Sequence, residues 1–420
     1  MSLLADKPVT QSSPADSLRC RSCGATFPLG PVHACFECFG PLEIGYDGAA
    51  LAGVTRAGIE AGPRSLWRYA GLLPVGQDPA TRVTLDPGCT PLVRADRLAA
   101  ELGMRELWVK DDSANPTHSF KDRVVSVALT AAKQLGFSRV ACASTGNLAN
   151  SVAAHAARAG LDSIVLVPAD LEPAKIVQTA VYGGTLVAVE GSYDDVNRLC
   201  SEIAGKHGWG FVNVNLRPFY AEGSKSYAYE LVEQLGWRAP DHIVAPMAGG
   251  SLVTKIRKAL LELDKLGLTD GAARAKIHGA QAAGCAPIVT AVREGQEHIR
   301  PVKKPDTIAK SLAIGNPADG YYASQAIRDS GGHAAAATDP EIVAAMRLLA
   351  ETEGIFTETA GGVTLAAAQR LIGEGRIGPD DSLAICITGQ GLKTTDPLVP
   401  VLPPPPVIAP RLSEFEALKE

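Results

Sequence analysis

Residues 139–160 read RVACASTGNLANSVAAHAARAG. The stretch opens on a short β-rich run, turns through small polar residues, and continues as an Ala-rich helical run that stops at Gly160. Strand, tight turn and helix in that order form half of a βαβ unit. The turn brings backbone N–H groups to a helix start, where an anion can bind. The same texture recurs outward from this stretch. The runs ELWVK (106–110), SIVLVPA (163–169), GTLVAVE (184–190), HIVAPMA (242–248), KIHGAQAA (276–283) and SLAICIT (382–388) alternate with helical stretches such as VVSVALTAAKQLG, which stops at Gly136. This alternation predicts a mostly parallel sheet with helices on both faces. The number of runs exceeds a comfortable single open sheet, so two sheets are expected.

At 420 residues the chain is too long for one ordinary core and fits two or three folded units. Apolar residues at 46% and charged residues at 20% give a globular profile. A net charge of −5 offers no electrostatic reason for nucleic-acid or anionic-membrane binding. No apolar run has the length of a membrane span, and the opening MSLLADKPVTQSSPADS lacks the basic and apolar segments of a secretory signal. Nine cysteines, an odd number, argue against a disulfide framework. The expectation is a cytoplasmic protein with a small-molecule partner and neither nucleic acid nor membrane.

Four of those cysteines form two short-spaced pairs, Cys20-x-x-Cys23 and Cys35-x-x-Cys38. Each pair can turn two thiolates toward one point, and together they complete a closed tetrahedral site for Zn²⁺. Residues 18–47 are too few to fold on an apolar core alone, and a metal would supply the missing folding energy. A full thiolate shell leaves no place for water, so this zinc is read as structural. A redox dithiol or an iron–sulfur site is the rival, and His33 is a possible substitute ligand. Cys89, Cys142, Cys200, Cys285 and Cys386 are read as packed free thiols.

The run Asn115-Pro116-Thr117-His118-Ser119-Phe120-Lys121-Asp122-Arg123 leads polar turn residues into a helix with Lys121 at its entrance. Helix dipole, the nearby arginine and burial all disfavour a charged amine there, and a neutral amine suits Schiff-base chemistry. Taken alone, Lys-Asp-Arg would be a solvated charge cluster. His118 is read as a turn former, with proton transfer as its alternative role.

The whole run resembles the Ser-Phe-Lys-Asp-Arg cofactor-lysine motif of threonine synthases and their relatives. Three further segments stand in that family's order: Ser144-Thr145-Gly146-Asn147, Met247-Ala248-Gly249-Gly250-Ser251-Leu252, and Thr388-Gly389-Gln390-Gly391-Leu392-Lys393. The likeness covers most of residues 85 to 395. It implies a pyridoxal 5'-phosphate enzyme of fold type II, tryptophan-synthase-β-like: two doubly wound α/β domains behind the small N-terminal zinc ribbon. The implied division is 1–48 for tail and ribbon, 49–139 plus 240–420 for a large cofactor-binding domain, and 140–239 for a small domain. Lys121 is then the catalytic Schiff-base lysine and proton shuttle. Phe120, Lys121, Asn147, Ala248, Gly249, Gly250, Ser251, Leu252 and Thr388 would bind the cofactor, with Asn147 on its phenolic oxygen, the glycine loop on its phosphate and Thr388 on its ring nitrogen. Ser144, Thr145, Asn213 (or Asn215) and Arg217 would bind substrate.

The implied reaction converts O-phosphohomoserine and water to threonine and phosphate, in a cytoplasmic homodimer. Cysteate-synthase-like replacement of phosphoserine, a threonine or serine ammonia-lyase, and a non-catalytic zinc-ribbon module are the alternatives. Lys310–Pro317, KSLAIGNP, also resembles a threonine synthase stretch. Two departures stand out: the glycine loop lacks an Asn common in the family, and Leu148 stands where many relatives have a hydroxyl residue. Gly373–Gly378 matches GxGxxG by letter but follows a helical run, so no dinucleotide site is expected. The tail VLPPPPVIAP reads as polyproline II, followed by a helix whose capping box starts at Ser413.

Overall fold

The computed structural model describes residues 13–144, 146–169, 171, 173–191 and 193–419. Thirteen strands are present among them: β1 (Ala15–Cys20), β2 (Thr26–Phe27), β3 (Leu42–Tyr46), β4 (Leu92–Arg94), β5 (Glu106–Asp111), β6 (Arg139–Ala143), β7 (Asp162–Pro168), β8 (Thr185–Val189), β9 (Gly210–Phe211), β10 (His242–Pro246), β11 (Lys276–Ala282), β12 (Ala334–Ala337) and β13 (Ser382–Ile387). They form three sheets, ordered β2-β1-β3, β12-β11-β10-β13-β5-β4 and β8-β7-β6-β9. The first is antiparallel. The six-stranded sheet is parallel except for β4, and the four-stranded sheet is parallel throughout. All seven apolar runs read from the sequence are strands. Burial on both faces explains the lack of alternation in the central strands β10 and β13, which are buried at every residue, whereas β8 at a sheet edge is exposed or half-buried throughout.

Some elements escape the sequence pattern. β12 is four alanines, a weak strand former by propensity, yet it pairs with Gly279–Ala282 of β11 in parallel. The C-terminal helix starts at Leu412, ahead of Ser413, with Arg411 at the cap position and no side-chain cap bond. The capping box expected at Ser413 therefore does not form; Glu414 instead accepts from the Ala409 amide at 2.6 Å. Residues 403–409 carry neither helix nor strand. Gly373 ends a helix and is followed by a turn, so the GxGxxG letters have no strand before them. No helix among the described residues is long and apolar enough to cross a membrane.

Two charge networks lock the layers together. Arg123, fully buried on the helix Lys121–Gln134, donates to Asp112 at 2.7 and 2.9 Å and to Glu230 at 2.9 and 3.0 Å. Lys110 of β5 reaches the same Glu230 at 2.6 Å. A strand, the lysine helix and the helix Lys225–Gln234 thus share one neutral set of two cations and two carboxylates. The second network seats the N-terminal sheet. Tyr46 of β3 donates to Glu222 at 2.7 Å, and Glu222 also takes Lys225, Lys255 and Lys258 at 2.8, 2.6 and 2.9 Å. Leu18, Leu42 and Ile44 of that sheet join Trp67, Val127, Ala131 and Phe219 in one apolar cluster, so the ribbon packs directly on the lysine helix.

Burial alone would raise the Glu230 carboxyl, but the charges of Arg123 and Lys110 outweigh it and hold the group well below the usual carboxylate range. Stability from a depressed carboxylate is fully present above its unfolded value of about 4.3 and is lost as pH falls from there toward the folded value. Glu230→Ala should cost about 3–5 kcal/mol in urea denaturation, because it leaves two buried cations undercompensated. Glu230→Gln should also flatten the fall in stability below about pH 4.

Candidate functional site

The carboxyl ends of β6, β10 and β13 open on a single cavity of about 280 Å³, where parallel sheets place ligands. Phe120, Lys121, Ser144, Asn147, Asn213, Arg217, Ala248, Gly249, Gly250, Ser251, Leu252 and Thr388 all line it. Thr145 lies outside the described residues.

The lysine turn is pinned by backbone bonds to the end of β13. Phe120 N–H donates to Thr388 O at 2.9 Å, and Gln390 N–H donates to His118 O at 3.1 Å. Ser119 and Gly389 pair as an isolated bridge. His118 takes the left-handed region at φ 62°, which fits the turn role read for it. The three residues of the Lys-Asp-Arg run then part company. Lys121 lines the cavity, with Nζ 5.1 Å from the Phe120 ring centre and 5.8 Å from that of Tyr220. Asp122 turns back to Thr117 N–H and Oγ1 and to Ser151 Oγ, each at 2.6 Å. Arg123 goes to the core, where two carboxylates compensate its charge. The solvated charge cluster is therefore excluded, and so is a free arginine charge beside Lys121.

On the facing wall, Ser144 Oγ accepts from Gly146 N–H at 3.1 Å and Ala149 N–H at 2.9 Å, capping the helix Asn147–Ala159. Its own hydroxyl proton stays available to donate. Asn147 donates to both oxygens of Glu358 at 3.0 Å and accepts from Lys393 Nζ at 3.0 Å. Burial raises the Glu358 carboxyl above its usual range, against the pull of Asn147, Lys393, Lys175 and Lys121. Burial also lowers the Lys393 ammonium. These two residues were not singled out from the sequence. Lys393 sat inside a quoted motif without a role. Glu358 precedes the small-residue helix start Thr359-Ala360-Gly361-Gly362, a signal of close approach that could have drawn attention.

The third wall is the loop after β10. Gly250, at φ 94°, precedes the helix Ser251–Lys265 and brings no side chain to cap it. The first-turn N–H groups have no intrahelical acceptor, so they are available to an anion. A Cβ on Gly250 would lie 2.9 Å from Ala323 Cβ and 3.1 Å from Asp319 O, whereas a Cβ on Gly249 would meet nothing within 4 Å. Both glycines line the cavity, but the Cβ position of Gly249 is open whereas that of Gly250 is closed off by Ala323 and Asp319. Thr388, 8% exposed, closes the floor at the end of β13.

Toward the cavity rim, Arg217 pairs with Asp319 at 2.7 Å. Asn213 accepts from Ala143 N–H at 3.3 Å and donates to Asn197 at 2.9 Å. Asn215 turns its amide to Phe211 N–H and Trp209 O, and of the two asparagines only Asn213 lines the cavity. Asp319, Asn316, Tyr220 and Asn197 are further lining residues that sequence reading did not place. An amine, an amide, a hydroxyl and a bare helix start on separate walls fit a phosphorylated aromatic aldehyde held at its aldehyde carbon, ring oxygen, ring nitrogen and phosphate. Ser119 Oγ, two residues before the lysine, is buried with no hydrogen-bond partner among the described residues.

A second centre lies in the N-terminal sheet. The sulfurs of Cys20, Cys23, Cys35 and Cys38 all fall within 4.8 Å of one another and are arranged to hold a metal ion. His33 stands outside that group. Its imidazole is lowered by burial and by the Arg217 charge.

Known proteins resemble this chain over most of its length. Residues 83–389 match the family model described as pyridoxal-phosphate dependent enzyme. The threonine synthase of Methanocaldococcus jannaschii is 40% identical over 380 residues, covering 90% of this chain and 93% of that protein. That of Methanosarcina acetivorans is 37% identical over 405 residues, covering 96% and 98%. Among solved structures, diaminopropionate ammonia lyase from Escherichia coli in complex with D-serine superposes with a TM-score of 0.63 at 18% identity, covering 75% of this chain and 88% of that one. Threonine deaminase isoform 2 from Solanum lycopersicum superposes with a TM-score of 0.61 at 20% identity, covering 72% and 79%. At these identities the structures speak for the fold alone.

The two glycines of the loop give a paired prediction. Gly250→Ala should lose about 1–3 kcal/mol, from left-handed strain and the Ala323 contact. Gly249→Ala should stay within about 0.5 kcal/mol of the parent, since its Cβ enters open space. Urea denaturation of the two variants separates them, and equal losses would contradict the packing described.

Proposed function

Because the chain belongs to the pyridoxal-phosphate-dependent enzyme family, we infer that it catalyses the threonine synthase reaction, in which O-phosphohomoserine and water give threonine and phosphate. The residue roles rest on one observation above all. Lys121 lines a cavity whose other walls offer Asn147, Thr388 and the bare helix start at Gly249–Leu252. Lys121 would hold the cofactor, the Gly249–Leu252 amides its phosphate, Asn147 its ring oxygen and Thr388 its ring nitrogen, with Phe120 and Ala248 as packing.

Pyridoxal phosphate, when bound, supplies an electron sink for charge developing on the substrate's α-carbon. The chain's own task is to place protons and anions. Lys121 takes the proton from the α-carbon and returns it at the end. The C–O bond at Cγ breaks with its electron pair going to the departing phosphate, and Arg217 faces that anion. Lys121 also takes a proton from Cβ as the C–O bond breaks and delivers one to Cγ afterwards. Water then adds its oxygen to Cβ and its spare proton goes to the phosphate, so that Cβ exchanges a hydrogen for a hydroxyl and Cγ exchanges phosphate for a hydrogen. Ser144, Thr145 and Asn213 hold the carboxylate end through hydroxyl and amide donors. A hydroxyl at Thr388, unlike a carboxylate, leaves the ring nitrogen largely unprotonated, which suits elimination and replacement.

Cys20, Cys23, Cys35 and Cys38 would hold Zn²⁺ in a structural role, a reading supported by four converging thiols with no further donor in the group among the described residues. The buried, unbridged thiols of Cys142, Cys200 and Cys386 support a reducing, cytoplasmic setting. The exposed Val399, Val407, Leu412 and Phe415 on the C-terminal segment support assembly with a second copy, as a homodimer.

Purified protein should carry a visible cofactor band and release threonine and phosphate in equal amounts from O-phosphohomoserine. Lys121→Ala should lose the band and at least about 10³-fold in kcat. Turnover of O-phosphoserine but not O-phosphohomoserine would retain the cofactor and overturn the reaction. Elemental analysis should find one zinc per chain, lost in a Cys20→Ser, Cys35→Ser double variant together with much of the thermal stability.

A further inference from the structure

Asp319 is shared. One of its oxygens holds Arg217 at 2.7 Å, and the other lies 3.5 Å from Arg21. Arg21 sits in the knuckle between Cys20 and Cys23, with its backbone N–H on Pro41 O at 3.0 Å. Its guanidinium carbon stacks 3.5 Å above the Tyr322 ring centre, and the neighbouring Ser22 Oγ meets the Tyr322 hydroxyl at 3.1 Å. Asp319 also donates its backbone N–H to Gly249 O at 2.9 Å, so it touches the glycine loop as well. Asp319 and Arg217 both line the Lys121 cavity. The side chains of Arg21 and Asp319 are only 18% and 11% exposed, so water screens their charges weakly.

A lone Arg217–Asp319 pair would be electrically neutral and a poor receptor for a phosphate. Adding Arg21 makes the triad net positive, and it draws part of the carboxylate's charge away from Arg217. We propose that Arg21, carried on the metal knuckle, is a positioning residue of the active site, which through Asp319 keeps Arg217 aligned and electropositive toward a phosphate group. The cysteine ribbon would then act as a fixed arm of the phosphate subsite as well as a fold stabiliser. The strong seating of the ribbon through Tyr46, Glu222 and Lys258 gives the arm its rigidity. This proposal rests on the reading that the cavity takes a phosphorylated substrate.

The test uses the full chain loaded with cofactor and metal. Inorganic phosphate binding is titrated calorimetrically for the parent, Arg21→Ala, Arg21→Lys and Tyr322→Leu, with metal content and melting temperature read on the same samples. Arg21→Ala should keep its metal, weaken phosphate about tenfold (~1.4 kcal/mol), and raise KM for O-phosphohomoserine more than it lowers kcat. Arg21→Lys should recover part of the loss, since the charge returns without the planar stack. Tyr322→Leu, which lies outside the knuckle, should weaken phosphate in the same direction but less; it decides the matter if Arg21→Ala sheds its metal. Unchanged phosphate affinity in Tyr322→Leu together with unchanged affinity in a metal-loaded Arg21→Ala would overturn the proposal. So would unchanged affinity in Tyr322→Leu where Arg21→Ala loses metal. If the parent binds phosphate but leaves O-phosphohomoserine untouched, the assigned reaction fails, while the phosphate comparison still judges Arg21.

Discussion

The buried guanidinium of Arg123 is the constraint around which the catalytic layers are arranged. A fully buried cation is tolerated only if its partners are fixed, and here those partners come from the loop after β5 (Asp112) and from the helix Lys225–Gln234 (Glu230). Satisfying that one group sets where the helix Lys121–Gln134 can begin. Because Lys121 is two residues before Arg123, the same bonds set where the reactive amine stands. The backbone bonds from the lysine turn to Thr388 and Gln390 then fix the remaining wall. Positioning of the site is thus a consequence of charge satisfaction in the core.

The N-terminal ribbon is part of the same construction. Its apolar residues share a cluster with Val127 and Ala131 of the lysine helix, and its Tyr46 feeds the Glu222 network. An independent module would carry its own core and a polar seam. Instead, a segment too short to fold alone completes its core on the catalytic body, and in return places Arg21 against Asp319 at the cavity rim.

The cavity itself holds a charge contest. Glu358 is pushed toward its neutral form by burial while three lysines favour its charge, and Asn147 sits between Glu358 and Lys393 with both ends of its amide engaged. The contest arises because residues from distant segments meet at one point: Asn147 follows β6 of the four-stranded sheet, Lys393 follows β13 of the six-stranded sheet, and Glu358 precedes the helix Thr359–Gly373.

By itself the sequence determined the strand runs, the four-cysteine cluster, and the three loops that surround the lysine. These follow from local patterns: apolar runs bounded by turns, paired thiols, small residues at helix starts. It did not determine β12, whose alanines become a strand only because β11 offers an edge for them to pair with, nor the C-terminal helix start, where Glu414 found a nearer partner at Ala409. The three fates of Lys121, Asp122 and Arg123 were equally hidden, since adjacent letters say nothing about which pocket each side chain enters. Glu358, Lys393, Asp319 and Arg21 owe their place at the site to contacts across tens to hundreds of residues. Such contacts depend on which strand ends meet, and only the tertiary fold decides that.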